Sequence, residues 1–225
     1  MRHTRTGPAR RWLRGRDRPA LRIRPGSDDV ENAGRRVLLY GVLPFWFVPS
    51  VADWVMHRRT HIEETTGVRE SAVHLLMMAE AGLPLTVGLV AKINPLVLSL
   101  MGGAALAHGA TALWDVTLAT REREVRPVEQ HIHSFLEVLP LTAAAITLCL
   151  HWEAVRGGRG AADAWKLVPK ERPLPAGYLA SVAAAVGLFV ALPYGEEMLR
   201  CLRARPVSGR CGPARGGDGG AGPGP

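Results

Sequence analysis

VLLYGVLPFWFVPSVADWVM, residues 37–56, holds a single formally charged side chain, Asp53, in twenty positions. A helix rises 1.5 Å per residue, so about 20 apolar residues cross a hydrocarbon core of ~30 Å. A helix of this length in a soluble bundle would carry a polar stripe of period 3.6, which this run lacks. Four more runs of membrane length follow: AVHLLMMAEAGLPLTVGLVA (72–91), INPLVLSLMGGAALAHGATALWDVTLA (93–119), SFLEVLPLTAAAITLCLHW (134–152) and AGYLASVAAAVGLFVALPYG (176–195). The sequence therefore predicts an all-α fold, an integral membrane helical bundle of about five transmembrane helices. Asn94 and Pro95 suit the N-cap and first position of the third helix. Pro44, Pro49, Pro84 and Pro140 lie within the runs, where neighbouring helices can satisfy the freed carbonyls.

Outward from these runs the composition changes. Residues 1–36 carry eleven arginines against four acids, so they hold +7 of the chain's net +8. Residues 206–225 are mostly Gly, Pro and Arg. Such tails cannot bury enough apolar surface to fold alone. The expected organisation is a disordered Arg-rich arm (1–36), a four-helix membrane core (37–152), a loop (153–175), a fifth helix (176–196) and a disordered tail (197–225). Arginines without interleaved aromatics indicate a solvated or lipid-facing arm and no nucleic-acid partner. The arm has no short apolar core with a small-residue cleavage site, so it does not read as a cleaved signal. Cys149, Cys201 and Cys211 have no paired metal spacing. Cys149 reads as a small core residue of the fourth helix and the other two as residues of the basic tail.

Between the first two runs lies DWVMHRRTHIEETTGVRESAVH, residues 53–74, with three of the chain's eight histidines. Alternating helix direction puts the ends of helices one and three and the starts of two and four on one membrane face. His57, His61, His74, His108, His131 and His133 all fall there. At about 100° per residue, Asp53, His57, His61 and Glu64 share one side of a helix. Glu70 with His74, His108 with Asp115, and Glu129, His133 and Glu137 form further stripes. His131 joins them only if the fourth helix starts late, which Arg126–Pro127 leaves open. Arg58, Arg69, Arg121, Arg123 and Arg126 could balance surplus carboxylates or meet lipid phosphate.

Carboxylates and imidazoles projecting inward from four helices are the donor set of dinuclear iron and manganese centres in bundles. The expected ligands are His57, His61, His74, His108, His133, Glu70, Asp115, Glu129 and Glu137. Asp53, Glu64 and His131 are supporting or alternate groups. A structural or proton-relay network is the competing reading, to which Glu80, midway down the second helix, is most open. Glu63, Glu122, Glu124 and His151 read as solvated helix-end groups.

HRRTH is an HxxxH box. Together with HIH and the scattered acids it resembles the membrane histidine-box family, the fatty-acid desaturases, hydroxylases and sterol oxidases. The resemblance covers residues 53–137 and sets His57 and His61 on the first box. His131 and His133 stand at the later box, where the usual HxxHH is absent. The wider pattern DWxxHRR…ES…H…EQHxHSFLExLP also resembles bacterial multi-span membrane proteins. The family likeness implies two iron ions, dioxygen, a lipid-like substrate and an electron donor, in a bacterial inner membrane. Two other classes stay open. One is a zinc hydrolase similar to the ceramidase-like group, with three histidines, an acid and Ser71 around an activated water. The other is a non-enzymatic ion or metal carrier, or a structural subunit. Counting the arginine arm as inside puts the histidine face outside; leaving it out reverses the balance. The cytoplasmic face, where reductants are available, is preferred.

Overall fold

The computed structural model describes residues 27–157 and 162–204. Most of the arginine arm, the Gly/Pro tail and Cys211 lie outside the described residues. Among the described residues, five helices are long and apolar enough to cross a membrane: α1 (Asp29–Thr60), α2 (Val68–Val90), α3 (Pro95–Glu122), α4 (Pro127–Leu150) and α5 (Ala176–Ala204). The fold is an all-α bundle. Leu83, Leu106 and Leu113 stand more than two-thirds exposed, as lipid-facing side chains do. Among the fully buried side chains, by contrast, are His57, His108, Glu70, Glu129, Glu197 and Asp53. A water-soluble domain sorts these residue types the other way. A bundle in lipid can turn its polar groups inward.

The helices run past the apolar stretches that mark them. Helix begins at Ser27, so the last ten residues of the expected arm belong to a helix. Extending a helix that already exists costs far less than nucleating one. The Glu31–Arg35 pair, one turn apart at 3.0 Å, supports that extension. At the other end α5 continues to Ala204, so residues 197–204 are not tail. Arg200 holds that last turn in place, reaching Glu196 on its own helix at 3.5 Å and pairing with Glu63 before α2. Glu63 is therefore an ion-pair partner and not a solvated helix-end group. Cys201 is buried within this helix, whereas Cys149 is exposed, the reverse of the expected placement. The connector expected as loop contains a short helix, Trp152–Gly157.

Each turn has a local cause. Asn94 caps α3, its side chain accepting from Val97 N at 3.0 Å, with Pro95 in the first turn, as expected. The same Asn94 amide donates to the carbonyls of Asp163 and Lys166, both at 2.8 Å. Lys170 Nζ donates to the Gly88 and Leu89 carbonyls at the end of α2. These bonds tie the connector to the α2–α3 turn, so α5 starts at the end of the bundle away from residues 57–74. Pro44 and Pro193 each follow a π-helical turn, Leu38–Val42 and Gly187–Ala191. A proline ring clashes with the carbonyl four residues earlier, and the widened turn makes room for it.

Candidate metal centre

All five helices bring side chains to one point near the end of the bundle. On α1, Asp53 and His57 are one turn apart; so are Glu70 and His74 on α2, and Glu129 and His133 on α4. Asp115 comes from α3, and Tyr194 and Glu197 from α5. His57, Asp53, Glu70, His74, Asp115, Glu129 and Glu197 are all buried.

Glu197 organises the set. Its two carboxylate oxygens lie 2.9 Å from His57 Nδ1 and 2.8 Å from His74 Nδ1. An ionised carboxylate only accepts, so both rings donate from Nδ1 and turn Nε2 inward. The Nε2 atoms meet further acceptors. His57 Nε2 is 3.5 Å from Asp53 Oδ1, 3.6 Å from Glu129 Oε1 and 4.0 Å from Glu70 Oε1. His74 Nε2 is 3.2 Å from Asp115 Oδ1, and His133 Nε2 is 2.8 Å from Asp53 Oδ1. Among the described residues, the Nε2 atoms of His57, His74 and His133 and the Oδ1 atoms of Asp53 and Asp115 are buried without a hydrogen-bond partner. One such orphan costs about 1–3 kcal/mol. Imidazole nitrogens and carboxylate oxygens thus converge on one buried point, the donor types that hold a metal ion.

Donor atoms sharing an ion at about 2.1 Å are roughly 3.0 Å apart in octahedral and 3.4 Å in tetrahedral coordination. Two triads, Asp53–His57–His133 and His57–Glu70–His74, each bring three donor atoms within 4.8 Å of one another, which a small inward movement of the side chains would close onto an ion. The buried groups can hold a metal ion.

Other residues set the charge and the aim. Arg123, just after α3, donates from Nη2 to both Glu70 and Glu129, and from Nε to Glu70 Oε2 at 3.2 Å. Burial works against its charge, but Glu129 and Glu70 outweigh that and hold its pKa above the usual value. The Thr66 hydroxyl donates to Glu70 as well. Tyr194 donates to Asp53 Oδ2 at 3.0 Å, leaving Oδ1 for the centre. The carboxylates of Asp53, Glu70, Asp115, Glu129 and Glu197 outnumber the Arg123 guanidinium, an excess of acid that a bound cation would offset. A cavity of about 140 Å³ adjoins the group, with Asp53, His74, Asp115 and His133 on one side and Met77 and Leu136 among its apolar walls.

Of the residues singled out in the sequence, His57, His74, His133, Glu70, Asp115, Glu129 and Asp53 are brought together. Five others are not. His61 terminates α1 in the left-handed region (φ 51°), which takes it off the Asp53–His57 stripe; it is 64% exposed beside Glu63. Glu64 and His131 are exposed, the latter with its ring edge-on to Phe135. Glu137 is exposed, one carboxylate oxygen close to Gly109. His108 is buried, but its neighbours are Glu80, at 3.7 Å, and the Leu136 carbonyl, at 3.3 Å. Glu197 and Tyr194 were missed. The signal for them was parity: an odd number of spans returns the C-terminal end of α5, with its Glu196–Glu197 pair, to the histidine face. Comparison of the chain with protein-family models, with curated proteins and with solved structures gives no match.

Proposed function

We propose that the protein is a membrane oxidoreductase built around a dinuclear non-haem iron centre that acts with dioxygen on a lipid-like substrate. The observation that carries this reading is Glu197 on two imidazole Nδ1 atoms, which turns both Nε2 atoms toward carboxylate oxygens. A donor set of imidazoles with a majority of carboxylates suits iron or manganese better than the softer metals. Iron would supply dioxygen reduction. His57, His74, His133, Asp53, Glu70, Asp115 and Glu129 would hold the ions, Glu197 and Tyr194 orient the ligands, and Arg123 offsets surplus charge. The apolar walls of the adjoining cavity would take an acyl chain entering from the lipid. Hydroxylation of such a chain consumes one dioxygen, two electrons from an external donor and two protons, and releases one water. The reading places the protein in the bacterial inner membrane with the site toward the cytoplasm. Arg58, Arg59, Arg69, Arg121 and Arg126 flank that end, as cytoplasmic loops favour.

One observation favours a second reading. Ser71, one turn before His74, is fully buried and its Oγ has no hydrogen-bond partner among the described residues. A serine beside three histidines and an acid would suit a zinc hydrolase. Dioxygen uptake by detergent-solubilised, iron-loaded protein with dithionite-reduced ferredoxin and fatty-acyl lipids separates the two. Lipid-dependent uptake that persists in Ser71→Ala supports the oxidase. Absent uptake, with zinc-dependent amide or ester cleavage lost in Ser71→Ala, supports the hydrolase.

A further inference from the structure

A second cavity, of about 750 Å³, opens at the other end of the bundle, away from the His57–His74 centre and with His151 in its lining. Its mouth carries Arg35, Lys92, Lys170 and Arg172 against Glu31 and Glu171. Arg35 is engaged with Glu31, and Lys170 with the Gly88 and Leu89 carbonyls. Burial, and after it the neighbouring Arg35, push the Lys170 pKa down. Lys92 and Arg172 are exposed, and neither is within ion-pair distance of a carboxylate among the described residues. The rest of the lining is mainly apolar and includes Leu39, Leu43, Leu85, Met101, Ala143 and Trp46. Eleven residues of α1 separate Arg35 from Trp46, about 16 Å of helix rise, close to the ~15 Å hydrocarbon depth of one leaflet. Trp46 Nε1 is buried with no hydrogen-bond partner among the described residues.

A basic mouth over an apolar shaft one leaflet deep has the shape and charge of an anionic lipid. We propose that this cavity binds a membrane lipid with a phosphate headgroup, the phosphate at Lys92 and Arg172 and one acyl chain lying along α1 against Trp46. The volume falls in the range of pockets that enclose a single small ligand. The site is separate from the histidine centre and does not depend on its metal.

The test uses full-length protein in a mild detergent and phosphatidylglycerol brominated on its acyl chains, with brominated phosphatidylcholine as the neutral-headgroup control. Phosphatidylglycerol should quench the tryptophan fluorescence saturably and in preference to phosphatidylcholine, and Trp46→Phe should remove that component. Lys92→Gln with Arg172→Gln should weaken the phosphatidylglycerol affinity on the order of tenfold. Ala143→Phe, which fills the shaft, should abolish the saturable component, with circular dichroism reporting that the helices are retained. Equal quenching by the two lipids, or unchanged affinity in the charge variant, would mean ordinary annular lipid and overturn the proposal. Inorganic phosphate that competes as well as the lipid would also overturn it, since the shaft would then contribute nothing.

Discussion

The imidazoles of His57 and His74 lie stacked, ring centroids 4.5 Å apart and planes within 3° of parallel. Two rings from different helices take this pose because one carboxylate, Glu197, accepts from both Nδ1 atoms. Stacking alone would allow many rotations about the ring normal. The shared acceptor selects the one in which both Nε2 atoms face Asp53, Asp115, Glu70 and Glu129.

Glu197 is thus expected to control metal affinity without touching the metal. In Glu197→Gln the amide can accept from only one ring, so the other histidine loses its fixed tautomer. Loss of such an orienting acceptor typically weakens metal binding about 10- to 100-fold. Competition titration with a chelator on wild type and variant measures it. Unchanged affinity would mean that the ring poses are set by packing instead.

Arg123→Ala removes the only guanidinium donating to Glu70 and Glu129 among the described residues. Breaking a buried ion pair from one side costs roughly 3–5 kcal/mol. The metal-free variant should therefore unfold at a clearly lower temperature than wild type in detergent. Added ferrous or manganous ion should restore part of the loss, because a cation replaces the missing charge. A loss that metal does not reduce would place Glu70 and Glu129 outside the centre.

The histidines divide into two sets with different expected phenotypes. His133→Ala should lower metal affinity on the order of a hundredfold or more, as removal of a direct ligand does more than loss of an orienting group. His61→Ala and His131→Ala, both at exposed positions, should bind metal as wild type does. Metal loss in His61→Ala comparable with that in His133→Ala would contradict the assignment.

His108→Ala separates a structural polar pair from the centre. It leaves Glu80 with the Thr111 hydroxyl, at 2.9 Å, as its remaining partner. The expected result is a fold destabilised by about 1–3 kcal/mol with metal stoichiometry retained. Denaturant unfolding alongside metal analysis checks both parts. Metal loss without destabilisation would move His108 into the ligand set.

The helices were legible because hydrocarbon thickness fixes their apolar length, and the stripes Asp53–His57, Glu70–His74 and Glu129–His133 because a helix repeats every 3.6 residues. What the sequence hid lies where helices stop. His61 is neither Gly nor Asn, so RRTHIEE marks its left-handed turn only weakly. The next residue, Ile62, is fully buried, and its burial draws the chain back under the bundle. The charged run after residue 195 looks like tail, yet the Arg200–Glu63 pair holds it helical and sets Glu197 in the centre. His108 and Asp115 do share a stripe. Two turns of rise, about 10 Å, separate them, which angle alone does not reveal.

The most direct test of the central claim is metal content per chain in protein purified in detergent, for wild type and for His57→Ala. His57 belongs to both donor triads, so its loss should affect both ions. The account predicts about two iron ions per wild-type chain and little bound metal in a still helical His57→Ala. No stoichiometric metal in wild type under iron-replete expression, or equal metal in the two proteins, would contradict it.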